Sequence, residues 1–305
     1  MIVTRFAPAP TGSLHLGHVL NAVYVWGVAR AAGGRVLLRI EDHDRQRCRP
    51  EFERGILEDL EWLGFQPDSP AIQAFRAGRC EGRQSDRGER YDAALAFLRS
   101  QGLVYACDCS RRTIANAGAA PEGEEMRYPG MCASKGLSEV PGYGLRVRMQ
   151  PTTERFEDLR HGATVQRPFE QCGDLLVRDR DGNWTYQFAA TVDDWKQGVN
   201  LVIRGDDLLA STGRQIQLAR LLGREEPPRF LHHPLIVKSP GQKLSKSDGD
   251  SGIRDLRARG WAAADVIGHA ARLGGLILEP RPYEAHELHR IAALESIAAS
   301  VSKTT

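Results

Sequence analysis

The chain has 305 residues, with 41 Lys and Arg against 39 Asp and Glu and a formal charge of +2 at pH 7. That balance excludes binding of nucleic acid by bulk charge, so a polyanion must meet a local basic patch. No apolar run approaches the ~20 residues of a membrane-spanning helix, and Arg5, Pro8 and Pro10 interrupt the apolar start that a signal peptide needs. A cytoplasmic chain with a sizeable core in one to three domains is expected.

Residues 2–6 read as a short buried strand. A Pro/Gly loop follows, Pro8-Ala9-Pro10-Thr11-Gly12-Ser13-Leu14-His15-Leu16-Gly17-His18, then a helix over about 17–32 ended by Gly33-Gly34. Residues 36–40 read as a second strand with Glu41-Asp42-His43-Asp44 at its carboxyl end. Pro50 starts a helix through Phe52, Ile56, Leu57, Leu60 and Leu63, stopped by Gly64. This βαβα spacing predicts a parallel, Rossmann-type α/β sheet with a nucleotide crevice.

Residues 72–88 are rich in Gly, Arg and Gln and read as a surface insertion. A helix over 89–100 ends at Gly102, the stretch 107–132 reads as irregular, and residues 145–149 alternate like a strand of an antiparallel subdomain. The parallel pattern returns after Trp184. A helix-like run covers 186–194, and a strand over 201–203 ends at Arg204-Gly205-Asp206-Asp207. Ser211 or Thr212 is expected to cap a helix closed by Gly223. A strand over 235–237 delivers the loop Lys243-Leu244-Ser245-Lys246-Ser247, and two or three helices follow Gly252.

Two of these loops carry chemistry together. A helix N-terminus offers free N–H groups and a positive dipole end, which suits phosphate. His15 and His18 stand at that junction, and Gly17 is expected to let a base or phosphate approach the backbone. Lys243 and Lys246 lie between Gly241 and Gly249 on a segment expected to be mobile. Cations arriving there stabilise the charge that builds on the pyrophosphate leaving group during adenylation by ATP. Lys246 takes the main role in this reading. Alone, the first loop is an ordinary capped turn and the second a charged surface loop; their pairing is what points to ATP.

The motifs resemble the glutamyl branch of the class I aminoacyl-tRNA synthetases. Residues 5–12 match the family's opening, His15-Leu16-Gly17-His18 its first ATP signature and residues 243–247 its second. Residues 186–194 and 202–207 match its amino-acid pocket, and the resemblance covers 2 to about 250, with gaps near 72–83 and 113–145. It implies a Rossmann-type catalytic domain in two halves (1–71 and 186–240), an inserted acceptor-binding-like subdomain with zinc (72–185), and a lysine loop with a helical C-terminal region (241–305). It implies ATP with Mg²⁺ and L-glutamate as substrates. Arg5 and Arg204 sit at carboxyl ends of strands, where arginine pairs with carboxylate. Tyr186 adds a hydroxyl, Glu41 accepts from the α-ammonium, and the backbone of Ala7 and Ala9 completes the pocket. Ala9 stands where the family usually has serine.

Six cysteines are present, and Cys107, Cys109 and Cys132 fall within 26 residues. Structural zinc takes four ligands. His161 is the first histidine after them, and Tyr128 lies four before Cys132. A subgroup of the resembling family carries Cys-x-Cys…Tyr-x-x-x-Cys, which implies Tyr128 as fourth ligand; Glu122, Glu124 or Glu125 are alternatives. Cys48, Cys80 and Cys172 read as ordinary thiols, and Asp42 and Asp44 as turn residues and caps.

The chain ends about sixty residues after the lysine loop, where a full glutamyl-tRNA synthetase continues into an anticodon-binding region. The resemblance therefore points to truncated paralogues that activate glutamate without tRNA and attach it to the queuosine base in the anticodon of tRNA(Asp). A monomer is expected, with Arg146, Arg148, Arg160 and Arg167 as candidate phosphate contacts. The alternatives are a catalytic domain charging tRNA(Glu), a small-molecule nucleotidyltransferase, and a non-catalytic RNA-binding paralogue.

Overall fold

A computed structural model of the chain describes residues 1–117, 126–239, 242–243 and 252–302. The first part runs β1 (Val3–Phe6), α1 (Leu16–Ala31), β2 (Arg35–Leu38), α2 (Pro50–Leu63), α3 (Ile72–Arg76) and α4 (Gly88–Ser100). The middle runs β3 (Val104–Cys107), α5 (Arg111–Ala117), β4 (Gly144–Val147), β5 (Glu154–Asp158), β6 (Gly162–Gln166), α6 (Pro168–Cys172) and β7 (Leu175–Arg178). Then come α7 (Tyr186–Lys196), β8 (Leu201–Gly205), α8 (Thr212–Leu221), β9 (Arg229–His233), β10 (Val237–Ser239), β11 (Gln242–Lys243), α9 (Ile253–Ala258), α10 (Ala263–Leu273) and α11 (Ala292–Ser302). No described helix is long and apolar enough to cross a membrane.

The predicted parallel sheet is present. β1 pairs parallel with β2, β8 pairs parallel with β9, and β9 meets β5 in parallel at Phe230 and Asp158. Asn200 joins the two halves. Its N–H donates to the Val3 carbonyl at 3.0 Å, and its Oδ1 accepts from the Val3 N–H at 2.8 Å. The carboxyl ends of β1, β2, β8 and β9 thus open on one side, where ligands of α/β sheets bind.

α1 is apolar around most of its circumference, as a central buried helix must be. Leu20, Val23, Val25 and Val28 are fully buried against the sheet and a C-terminal cap formed by α10, α11 and the 3₁₀ turn Ala285–Arg290. A second core forms where α4, β3, β4, β7 and α7 meet, around Tyr91, Leu98, Val147, Val177 and Phe188. There β3, β4 and β7 make an antiparallel sheet.

Six local expectations change, two of them slight: α5 covers Arg111–Ala117 within the stretch expected to be irregular, and the strand expected over 235–237 runs Val237–Ser239. Residues 72–88 are no surface insertion: Ile72, Phe75 and Cys80 enter the main core, and Gln84 and Arg87 are buried with them. Burial of those polar groups is offset by Asp193, which accepts from Gln84 Nε2 at 2.9 Å and pairs with Arg87 at 2.7 Å. β5 and β6, expected within the insertion, extend the β8–β9 sheet instead. β4 is buried at all four positions rather than alternating, because β3 and β7 flank it. Neither Ser211 nor Thr212 caps α8 through its side chain; the Thr212 hydroxyl accepts from Arg204 Nη2 at 2.8 Å.

Candidate active site

A cleft of about 500 Å³ opens at the carboxyl ends of β1, β2 and β8. Arg5, Ala7, Ala9, His15, Gly17, His18, Glu41, Tyr186 and Arg204 all line it. Arg5 and Arg204, 199 positions apart in the chain, therefore share one cavity with the start of α1.

The histidine loop is ordered by its own rings. Gly17 N–H donates to His15 Nδ1 at 3.1 Å, and His15 N–H donates to His18 Nδ1 at 3.2 Å. A backbone N–H can only donate, so both Nδ1 atoms are acceptors and each neutral ring carries its proton on Nε2. Two imidazole N–H donors thus stand at a helix N-terminus, their ring centroids 3.9 Å apart. Gly17 has a steric reason of its own. A Cβ there would lie 2.9 Å from His15 Cε1, so glycine lets the imidazole fold over the first turn.

The other side of the cleft rests on a buried charge network. Arg5 Nε donates to Asp194 Oδ1 at 3.0 Å and its Nη1 to the Ile203 carbonyl at 3.0 Å. Arg39, wholly buried, donates to Asp194 at 2.7 Å and to Glu41 Oε1 at 3.1 and 3.3 Å. Burial opposes a charged Asp194, but Arg5 and Arg39 outweigh it and hold the carboxyl at about 2. Burial, then the nearby Glu41 carboxylate, raises the Tyr186 phenol above its ordinary range, so the hydroxyl stays a donor. Arg204 is more committed than its sequence position suggests. Its Nε donates to His232 Nε2 at 2.9 Å, Nη1 to Gln215 at 2.6 Å and Nη2 to Thr212 at 2.8 Å. A guanidinium has five N–H groups, so a carboxylate in the cleft meets only the remaining Nη hydrogens.

Sequence reasoning missed Asn21, His43 and His233, which also line the cleft. Asn21 lies one turn beyond His18 on the same helix face, a spacing that signals it. Its Nδ2 is 2.9 Å from His233 Nε2, and the His233 ring stacks on Tyr24 at 4.9 Å. Nothing in local spacing marks His43, whose Nδ1 lies 2.6 Å from Gln84 Oε1, or His233.

Lys243 sits in β11, its backbone paired with Val237 of β10; Lys246 lies outside the described residues. The first residues described after that loop lie against the histidine loop. Gly252 bridges His15, and Ile253 N–H donates to the Leu14 carbonyl at 3.1 Å.

The cysteine cluster lies apart, packed with Ile114 and Tyr128. The Cys107, Cys109 and Cys132 sulfurs fall within 4.8 Å of one another. Zinc–sulfur bonds near 2.3 Å require sulfurs about 3.8 Å apart in a tetrahedron, so the trio fits one ion. The Tyr128 oxygen accepts from the Cys132 N–H at 2.9 Å and lies 3.5 Å from Cys107 Sγ, beside the cluster. Glu122, Glu124 and Glu125 lie outside the described residues. Burial disfavours the Cys107 thiolate, yet hydrogen bonds from Tyr128 and Arg146 bring it below its usual range. Burial pushes Cys109 up to about 12. Arg146 is no phosphate contact: it is buried, with Nε 3.3 Å from Cys107 Sγ and its guanidinium 3.6 Å above the Tyr128 ring. Arg160 is held by Asp206 at 2.6 Å, Arg148 packs 4.7 Å over the Tyr105 ring, and Arg167 is exposed. Asp42 and Asp44 accept backbone N–H groups of Ser85, Gln46 and Arg47 and serve as turn residues.

Residues 1–290 match the family model "tRNA synthetases class I (E and Q), catalytic domain". A protein of Symbiobacterium thermophilum named glutamyl-Q tRNA(Asp) synthetase is 41% identical over 300 residues, covering 94% of this chain and 91% of that one. A glutamate–tRNA ligase of Frankia casuarinae is 39% identical over 275 residues, covering 88% of this chain and 55% of that one. Among solved structures, a glutamate–tRNA ligase of Elizabethkingia meningosepticum, crystallised with its amino acid, superimposes with a TM-score of 0.77 at 26% identity. That match covers 96% of this chain, which spans 65% of the solved one. With the parallel sheet, the histidine loop and a match of this extent in agreement, the chain belongs to the class I tRNA synthetases of the glutamate and glutamine branch.

Proposed function

We propose that the cleft activates glutamate with ATP, without tRNA, and passes it to the queuosine base at the wobble position of tRNA(Asp). The observation that carries this reading is the cleft itself. Two imidazole donors at a helix N-terminus face the same cavity as two arginines, a tyrosine and a buried glutamate. The first set suits a nucleoside triphosphate and the second an amino acid with two carboxylates. Relatives close to 40% identity over most of both chains bear the glutamyl-Q name, and the Cys-x-Cys…Tyr-x-x-x-Cys pattern accompanies it here.

ATP, accompanied by Mg²⁺, lies across the histidine loop with its phosphates toward the start of α1. Glu41 takes the α-ammonium of glutamate, while Arg5, Tyr186 and Arg204 take carboxylate. The backbone of Ala7 and Ala9 borders the pocket. A glutamate α-carboxylate oxygen attacks the α-phosphorus in line, forming the acyl–phosphate bond as the bond to pyrophosphate breaks. Charge growing on the pyrophosphate is met by His15, His18, Lys243 and Lys246. No side-chain nucleophile is needed; positioning and charge stabilisation supply the catalysis. A hydroxyl of the modified base then attacks the acyl carbon and AMP leaves.

Cys107, Cys109 and Cys132, with Tyr128 beside them, would hold a zinc ion, which would brace the insertion and lie outside the adenylation site. Within the expected division of the chain, pairing of β5 with β9 supports counting residues 154–166 with the second half of the catalytic domain.

Glutamate-dependent ATP–pyrophosphate exchange without tRNA, followed by labelled-glutamate transfer, tests the reading. Exchange with transfer only to queuosine-bearing tRNA(Asp) is expected. Exchange that appears only with tRNA(Glu), which is then charged, establishes the second reading that the 39% identical glutamate–tRNA ligase favours.

A further inference from the structure

We propose that Asp158 and His232 form a positioning relay that sets the Arg204 guanidinium for glutamate, so that His232 governs amino-acid binding without touching the amino acid. The proposal rests on the reading that Arg204 receives a glutamate carboxylate.

The relay crosses three strands of the sheet. His232 on β9 is fully buried and Asp158 on β5 nearly so. His232 Nδ1 lies 2.6 Å from Asp158 Oδ2, and the His232 backbone N–H donates to the same oxygen at 3.1 Å. Asp158 Oδ1 accepts from the backbone N–H groups of Arg160 and His161, each at 3.0 Å. Burial opposes the Asp158 carboxylate, but His232 and those N–H groups keep it ionised, below the usual range. As an anion it only accepts, so the ring proton sits on Nδ1. On the other side Arg204 Nε only donates, at 2.9 Å, so Nε2 must offer its lone pair. Both neighbours therefore select one species, the neutral Nδ1–H tautomer. Phe230 fixes the plane: His232 stacks parallel to it at 6.0 Å, and the Arg204 guanidinium lies 5.7 Å from the same ring.

Protonation of His232 breaks this arrangement. It places an N–H against the Arg204 N–H, with two cations side by side in a buried site. Burial already pushes His232 below its usual value, so the ring is neutral at pH 7 and the conflict arises only in acid. The charged groups around the ring are Asp158 from β5, Arg160 and His161 from the turn after it, Arg204 from β8 and Asp206 just beyond. Asp206 holds Arg160 at 2.6 Å and His161 at 2.7 Å. His161 is exposed and makes no contact with Arg204 here, so it serves as the control.

The test is steady-state ATP–pyrophosphate exchange by the full chain from pH 5.5 to 8, with separate KM values for glutamate and ATP. His232→Asn keeps a donor for Asp158 but withdraws the acceptor from Arg204. It is expected to raise the glutamate KM about tenfold or more while leaving the ATP KM unchanged. His232→Gln restores a neutral acceptor near the Nε2 position. It is expected to return the KM toward the wild-type value and to remove the rise that the wild type shows in acid. His161→Gln should leave that rise in place. A glutamate KM unmoved in His232→Asn, or a rise equal for both substrates, overturns the relay while glutamate activation stands. A folded wild type without glutamate-dependent exchange overturns the reading of the cleft, and the relay with it. Should Asn destabilise the fold, the pH profile of His232→Gln decides alone.

Discussion

Gly17 is the residue on which the histidine loop depends sterically. A methyl group there meets the His15 ring at 2.9 to 3.0 Å, closer than side-chain carbons approach. Alanine gains up to about 1 kcal/mol over glycine in a helix, so Gly17→Ala should melt no lower than the wild type. It should nevertheless lose exchange activity by tenfold or more, with the ATP KM raised, because His15 is displaced. Thermal melting beside exchange kinetics separates the two effects, and unchanged kinetics would show that the His15 ring position is immaterial. Asp194 makes the opposite case, where a side chain is held by charge. Its folded value near 2 lies below the unfolded 3.8. Its stabilisation, about 2 kcal/mol by linkage, is full above pH 3.8 and fades as pH falls through 2. Asp194→Asn leaves Arg5 and Arg39 without their shared anion, a loss of about 3–5 kcal/mol at pH 7. The stability gap between the two proteins in urea should narrow between pH 4 and pH 2, and a gap independent of pH would contradict the assignment.

At the scale of elements, α1 explains why the C-terminal helices belong to the catalytic unit. Its start carries the histidines and its far face is covered by α11, where Leu294 reaches Gly27 so closely that a Cβ would lie 2.3 Å from Leu294 Cδ1. Overpacking of that kind costs about 1–3 kcal/mol, more than the helix gains from alanine. Gly27→Ala should therefore lower the melting temperature. In a double-mutant cycle with Leu294→Ala, the cavity of one change should absorb the methyl of the other, with a coupling above about 0.5 kcal/mol. Strict additivity would mean the helices shift apart instead. The same elements show what a sequence carries. The βα units at 2–64 and 201–222 were legible because apolar runs, Pro50 at a helix start and glycine stops agree locally. Residues 72–88 were not, because their burial depends on Asp193, more than a hundred positions away. The relay behind Arg204 was invisible for the same reason: Asp158 and His232 are 74 residues apart, and no spacing rule links them. Loops that hold their functional groups close together announce themselves, whereas groups assembled by strand pairing do not.

For the molecule as a whole, the division of labour follows from its separate cores. The catalytic cleft rests on the main core around α1, whereas the cysteine cluster packs beyond the antiparallel sheet of β3, β4 and β7. Among the elements that reach both regions is α7. Its Phe188, Ala189 and Val192 pack into the second core, while Asp193 and Asp194 anchor the charges under the cleft. That anchoring uses apolar contacts and arginines, none of them a cysteine. Loss of zinc should therefore loosen the insertion without dismantling the adenylation site. Without the ion, Cys109 and Tyr128 stay protonated, since burial raises both, so binding must release protons and weaken in acid. Cys132→Ser should bring bound zinc from about one ion per chain to none and lower the melting temperature. Glutamate-dependent exchange should stay within about threefold, because removing the ion changes no group in the cleft, while transfer to tRNA should fall at least tenfold on the proposal that the insertion receives the tRNA. Metal content, exchange and transfer measured on one preparation decide the matter. Exchange lost in step with zinc would mean that α7 transmits the state of the cluster to Asp194, and that the two cores act as one.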